Sequence, residues 1–127
     1  MKTDRQSLGN KGEDLAVKFL RQKGFRVLYR NYRIGKAEID IIALDENDLI
    51  MTEVKSVYTL GCGYAEEHIN RKKKLMLIRA AYKIFDLFPA LAGKNIRFDV
   101  AVINFNKYPA TIGHYPGAFW QQSADLR

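Results

Sequence analysis

Asp40 and the triplet Glu53-Val54-Lys55 are the residues of this chain whose types and spacing suit chemistry. They stand in two strand-like apolar runs, Glu38-Ile39-Asp40-Ile41-Ile42-Ala43-Leu44 and Leu49-Ile50-Met51-Thr52-Glu53-Val54-Lys55. A charge in such a run is expensive to bury unless it is paired or binds a metal. Two neighbouring carboxylates repel when both are ionised, so one takes a proton or a cation bridges them. An all-oxygen donor set suits Mg²⁺ or Mn²⁺ better than Zn²⁺, and Mg²⁺ keeps most of its waters. Such an ion acidifies a bound water and stabilises charge on phosphate oxygens. A lysine two residues beyond the second acid points to the same side and could orient the attacking water or neutralise the phosphate. The chemistry implied is phosphodiester hydrolysis. A solvated salt-bridge ladder on the wet side of a sheet is the alternative that the same charges allow.

The turn between the two runs decides which groups meet. Asp45-Glu46-Asn47-Asp48 is a polar, turn-forming cluster. A two-residue loop at Glu46-Asn47 pairs Asp45 with Asp48, and counting back sets Asp40 opposite Glu53 and Glu38 opposite Lys55. Directly opposed side chains share a face, their Cβ atoms roughly 5 Å apart. Moving the turn by one residue pairs Asp40 with Lys55 and keeps all four groups together, whereas a bulge would separate them.

Other elements must position this hairpin. Ser7 to Lys23 reads as a helix with Leu15, Ala16, Phe19 and Leu20 as its apolar stripe and Gly24 as its stop. Glu13 leans toward that stripe; on spacing it complements the helix dipole, while Asp14 faces away and can pair with Lys18. Phe25 to Arg30 reads as a first strand, and Val57 to Tyr64 as a glycine-containing flap beside the site. Glu66 to about Phe88 reads as a long helix buried through Leu77, Ile78, Ala81, Ile84, Phe85 and Phe88 and closed by Pro89. Arg71-Lys72-Lys73-Lys74 near its start is a candidate nucleic-acid contact, although four consecutive residues spread around a helix and at most two can meet the same phosphates. Ile96 to Ile103 and Thr111 to His114 read as further strands. Asp99, beside Arg97, and His114 read as structural, and the aromatic tail to Trp120 as a cover for the core. The order of elements predicts one small α/β domain over residues 1–127, with helices packed on a mixed sheet.

The net charge of +7 is unevenly spread. Residues 1–36 hold ten Lys/Arg against three Asp/Glu, residues 37–67 one against eight, and residues 68–107 nine against two. An acidic centre between basic flanks suits a cation-requiring site within a phosphate-attracting surface. No apolar run approaches the ~20 residues of a membrane span, and the first residues lack the apolar stretch of a signal peptide. Cys62, the single cysteine, rules out an internal disulfide. A reducing cytoplasm is the expected compartment.

Taken in order, Gly9-Asn10-Lys11-Gly12-Glu13, Tyr29-Arg30-Asn31-Tyr32-Arg33, Ala37-Glu38-Ile39-Asp40-Ile41-Ile42-Ala43, Glu53-Val54-Lys55, Lys73, Arg97-Phe98-Asp99-Val100 and His114 with Ala118-Phe119 resemble the YraN-like, endonuclease-like bacterial proteins. That family is similar to the PD-(D/E)xK restriction-endonuclease-like superfamily and, in layout, to archaeal Holliday junction resolvases. Ala37 stands where the family usually has Gly, and no proline precedes Asp40. The resemblance implies a restriction-endonuclease-like mixed sheet flanked by helices. It implies Asp40 and Glu53 as metal-binding acids, the carbonyl of Val54 as a further ligand, Lys55 as the motif lysine and Glu13 as a helical acid of the site. The expected activity is Mg²⁺- or Mn²⁺-dependent cleavage of DNA, branched or structured DNA included, with a homodimer suited to cutting two strands. The alternative is a binding-only or adaptor protein on the same fold.

Overall fold

A computed structural model describes residues 4–58 and 71–119, with the backbone alone described at 4–9 and at Phe119. The chain runs α1 (Asp4–Gln22), β1 (Arg26–Ile34), β2 (Ala37–Asp45), β3 (Asp48–Val57), α2 (Arg71–Leu87), β4 (Asn95–Asn104) and β5 (Thr111–Phe119). The expected flap from Val57 and the first turn of the second helix fall largely outside the described residues, as do Cys62 and Trp120.

Helix α1 ends where Gly24 takes a φ of 94°. The Gly24 N–H donates to the Arg21 carbonyl and the Phe25 N–H to the Leu20 carbonyl, both at 3.0 Å. This pair of bonds is a Schellman stop, which asks for a residue that tolerates left-handed backbone. Phe25 then packs with Leu20 in one core cluster.

The five strands form one mixed sheet in the order β1-β2-β3-β4-β5. Pairing is antiparallel except between β3 and β4, which lie parallel because the chain crosses over through α2. Of the two turns the sequence allows, the chain forms Glu46-Asn47, with Asp45 opposite Asp48 and Leu44 opposite Leu49. The start of β4 is tied to that turn: the Asn95 N–H donates to the Asn47 carbonyl at 2.8 Å.

A helix covers each face of the sheet. Ala16, Val17 and Leu20 of α1 bury Ile41, Ala43, Ala101 and Ile103. Leu77, Ile78, Ala81 and Ile84 of α2 bury Ile42, Leu49, Met51, Phe98 and Val100. On α2 this is the expected stripe, with Phe85 and Phe88 half-buried at its end; on α1 the buried line is Ala16, Val17 and Leu20, with Leu15 and Phe19 only partly covered at its edges. The result is the three-layer α/β architecture of a restriction-endonuclease-like fold.

Two irregularities shape the polar end of the sheet. Asn31 adopts a φ of 51°, a conformation Asn tolerates better than most residues. It breaks the alternation of β1, so Tyr29 and Tyr32 come to the same side, their rings 4.9 Å apart, against Phe88. The second is in β5, which is longer than the expected Thr111–His114. It passes through Pro116, tolerable on an edge strand, with a register shift opposite Asp99. Apolar periodicity could not show this, because the strand continues through Pro116 and Gly117.

Candidate functional site

The β2–β3 ladder runs from Asp45↔Asp48 to Ile41↔Thr52. Just past its last pair, Asp40 accepts the backbone N–H of Val54 on its carboxylate at 2.8 Å. Its side chain thereby does the work of a main-chain acceptor at the point where the two strands part. Ile39 and Ile42, three positions apart, both pack in the α2-side core, so the alternation of β2 slips across Asp40.

Asp40 and Glu53 line one small cavity with Thr52, Asp99 and, from α2, Lys73 and Leu77. Its free space, about 20 Å³, accommodates one water or ion. Glu53 lies on the α2 side of β3, with its side chain 12 % exposed. It forms ion pairs with Lys55, at 3.3 Å, and with Lys73. Glu13 approaches from α1, its side chain 16 % exposed and 3.8 Å from the Arg30 guanidinium, which also binds Asp14 at 2.7 Å. The Asn31 side chain hydrogen-bonds Glu13. The left-handed kink of β1 thus has a use: it accompanies an amide that meets the acid on α1.

The electrostatics follow from burial. Asp40 is pushed up to about 6, chiefly by desolvation, with the charges of Glu13 and Glu53 adding to the rise and the Val54 N–H opposing it. Burial likewise raises Glu13 above the usual carboxylate range, against the Asn31 hydrogen bond and the Arg30 charge. Among the described residues, Oε1 of Glu13, Oε2 of Glu53 and Oγ1 of Thr52 are buried without a hydrogen-bond partner. Buried oxygens are ordinarily satisfied.

These observations bear on a metal. Asp40 and Glu53 are two hard donors at a cavity of ion size, one with an unsatisfied oxygen and the other destabilised as an anion. That fits a cation which takes one or two carboxylates and completes its shell with water. It does not amount to a preformed cage: among the described residues no three His, Cys, Asp or Glu side chains converge on a point.

Glu38 departs from expectation. It is exposed and pairs with Arg33 at 3.1 Å, its direct neighbour on β1, and Lys55 turns to Glu53 instead. The reason is the end of the β2–β3 ladder at Ile41, beyond which the register no longer holds Glu38 beside Lys55. Asp14, expected to pair with Lys18, is taken by Arg30. The basic run divides: Arg71 and Lys72 are exposed, while Lys73 turns inward onto Glu53.

Asp99 and His114 form the best-connected polar group nearby. Arg97 donates two bonds to Asp99, both at 2.9 Å, His114 Nε2 lies at 2.8 Å and the Gly117 N–H donates at 3.0 Å. Burial alone would raise Asp99, but the bonds from His114, Arg97 and Gly117 win and hold it below the usual range. The register shift of β5 brings Gly117 into this network. Asp99 also lines the Asp40/Glu53 cavity, a position its place beside Arg97 in sequence could not disclose. Lys73 was legible only as one of a basic run and as part of the family resemblance, and Asn31 only as part of that resemblance; their contacts with Glu53 and Glu13 were not, because one sat within a charge run and the other acts through a backbone angle.

The pattern described as "Uncharacterised protein family UPF0102" matches residues 12–103. The chain belongs to this family, the YraN-like proteins. Glu13, Asp40, Glu53, Lys55, Lys73 and Asp99 all fall within the matched span. A UPF0102 protein of Persephonella marina is 41 % identical over 112 residues, covering 87 % of this chain and 91 % of that one. A UPF0102 protein of Chlorobium limicola is 37 % identical over 129 residues, covering 97 % and 99 %. Among solved structures, Pyrococcus furiosus SfsA in complex with Ca²⁺ aligns with a TM-score of 0.33 and 16 % identity over 89 % of this chain and 64 % of that one. That likeness is too distant to bear on fold or activity. No helix among the described residues of this UPF0102 chain is long and apolar enough to cross a membrane.

Proposed function

We propose that this UPF0102 protein is a nuclease that hydrolyses DNA phosphodiester bonds with Mg²⁺ or Mn²⁺. The observation that carries the reading is the unsatisfied, buried Oε2 of Glu53 beside Asp40 at a cavity of ion size. Asp40, Glu53 and the carbonyl of Val54 would hold the ion. When bound, it would supply an acidified water and charge stabilisation at the phosphate. The chain's own groups do the rest. Lys55, paired with Glu53 at 3.3 Å, is placed to orient a water or meet a phosphate oxygen. Glu13, raised above its ordinary value by burial, would supply a further carboxyl from α1. The Val54 N–H holds Asp40 in place.

The two ammonium groups on Glu53 support a second reading, a nucleic-acid-binding member with no cleavage, because they already neutralise that acid. The two readings separate in one experiment. The protein and its Glu53→Gln variant are incubated with linear, flapped and four-way DNA in Mg²⁺ and in Mn²⁺, and metal binding is followed by calorimetry. Cleavage by the parent and none by the variant supports the nuclease; full activity in the variant overturns it. DNA affinity with neither cleavage nor metal binding establishes the second reading.

A further inference from the structure

A basic groove runs beside the site, between α2 and the β1–β2 turn. It is lined by Lys36 of the turn and by Lys72, Arg79 and Lys83 of α2, over a floor that includes Met76 and Ala80, and encloses about 450 Å³. All four cations are exposed. Among the described residues none of the four has a hydrogen bond or ion pair within the chain. This sets them apart from Arg30, Arg33, Lys55, Lys73 and Arg97, each of which meets a carboxylate.

The spacing of the three helical cations is regular. Positions 72, 79 and 83 are separated by two turns and one turn of helix, so they form one stripe about 16 Å long. Lys36 faces that stripe from the turn. Gly35, with a φ of 58°, closes the other wall, and the Lys83 ammonium lies 3.4 Å from where a Cβ on Gly35 would stand. The turn and the helix are therefore close enough to bound one channel.

The groove also leads to the site. A second depression, lined by Lys36, Glu38, Lys72, Lys73 and Leu77, shares Lys36 and Lys72 with the groove. It shares Glu38, Lys73 and Leu77 with the Asp40/Glu53 cavity.

We infer that this groove binds the sugar–phosphate backbone of a nucleic-acid strand and carries it to the Asp40/Glu53 cavity, an assignment that rests on the proposed nuclease function. Exposed ammonium and guanidinium groups in a row, without a partner among the described residues, match phosphates in a row. The stripe is about half of the ~34 Å repeat of a duplex, a length over which one strand's phosphates stay on one side. The groove's concave form suits a strand better than the flat plane of lipid headgroups. Its aliphatic floor offers no aromatic ring for base stacking, so backbone charge makes the contact and sequence contributes little.

The test compares two variants of equal net charge. One replaces Lys36, Lys72, Arg79 and Lys83 with Ala; the other replaces Lys18, Arg21, Arg26 and Lys107, all exposed elsewhere on the molecule. Binding of a fluorescein-labelled 30-nucleotide strand and its duplex is followed by anisotropy in EDTA, across a salt series, so that cleavage plays no part. Circular dichroism establishes that both variants fold. The groove variant is expected to lose more than about tenfold in affinity and to flatten the salt slope by roughly 3 on the strand and nearly 4 on the duplex, about 0.7 to 0.9 for each of four lost phosphate contacts, with the control close to the parent. Equal losses in the two variants, or none in the groove variant, overturn the inference and leave the nuclease reading standing. Absence of salt-dependent binding by the parent sinks both. Binding of the parent to anionic phosphatidylglycerol vesicles that the groove variant loses, with DNA affinity unchanged, assigns the groove to a membrane surface and overturns the inference.

Discussion

Val54 donates its backbone N–H to the Asp40 carboxylate across 2.8 Å, just where the β2–β3 ladder ends. One acid of the candidate site is thus fixed by the main chain of the segment that carries the other. The spacing of Asp40 from Glu53 depends on where those strands part, rather than on flexible side chains finding each other.

The raised Asp40 makes stability depend on pH. Its folded value of about 6 exceeds the ordinary 3.8, so between those limits the folded state holds a proton that the unfolded chain has released. Without metal, stability therefore falls as pH rises from 4 through 6 and stays low at higher pH. Asp40→Asn removes that decline and is expected to stabilise the metal-free protein at pH 8 by roughly 1–3 kcal/mol, while abolishing Mn²⁺ binding. Urea titrations at pH 5 and pH 8 in EDTA measure both limbs. An Asn variant no more stable than the parent at pH 8 would show that Asp40 is not destabilised as an anion.

Asp99 works in the opposite sense. Its folded value lies below the ordinary one, so its contribution is present above pH 4 and is lost as pH falls through the folded value. Asp99→Asn leaves Arg97, 15 % exposed, without its forked partner. A cost of about 3 kcal/mol is expected at pH 7, shrinking as pH falls through the folded value. A constant difference across that range in thermal melts would contradict the charge-based account.

Lys73 competes with any cation for Glu53. Lys73→Met should tighten Mn²⁺ binding roughly fivefold, the value of about 1 kcal/mol for a partly exposed ion pair. Calorimetry decides this directly. Weaker binding in the variant would mean that Lys73 organises the acids instead of masking one.

Gly12 sets the approach of α1 to the sheet. A Cβ there would collide with Ser56 Oγ, with Phe105 and Ile103 just beyond at 3.6 and 3.7 Å. Gly12→Ala should cost about 1–2 kcal/mol by overpacking and reduce cleavage by displacing the adjacent Glu13. Adding Ser56→Gly should restore most of the stability. Failure of the double variant to recover would show that the contact with Ser56 is not the source of the cost.

The sequence by itself determined what local rules control. Apolar periodicity specified both helices and the inner strands, Gly24 specified the end of α1, and a four-residue polar cluster marked a tight turn and narrowed the β2–β3 pairing to two registers, of which the fold takes the one ending at Ile41↔Thr52. Those rules concern residues within a few positions of each other. Tertiary structure decided the rest, because it depends on departures from regular geometry and on contacts distant in sequence. The β2–β3 ladder ends at Ile41, which sends Glu38 to Arg33 and leaves Lys55 to Glu53. Asn31 kinks β1 and meets Glu13 from another element. The register shift near Pro116 delivers the Gly117 N–H to Asp99. Lys73 chose between solvent and site only when α2 was laid against β3. A run of like charges carries no record of which member turns inward; the packing of its helix supplies that information.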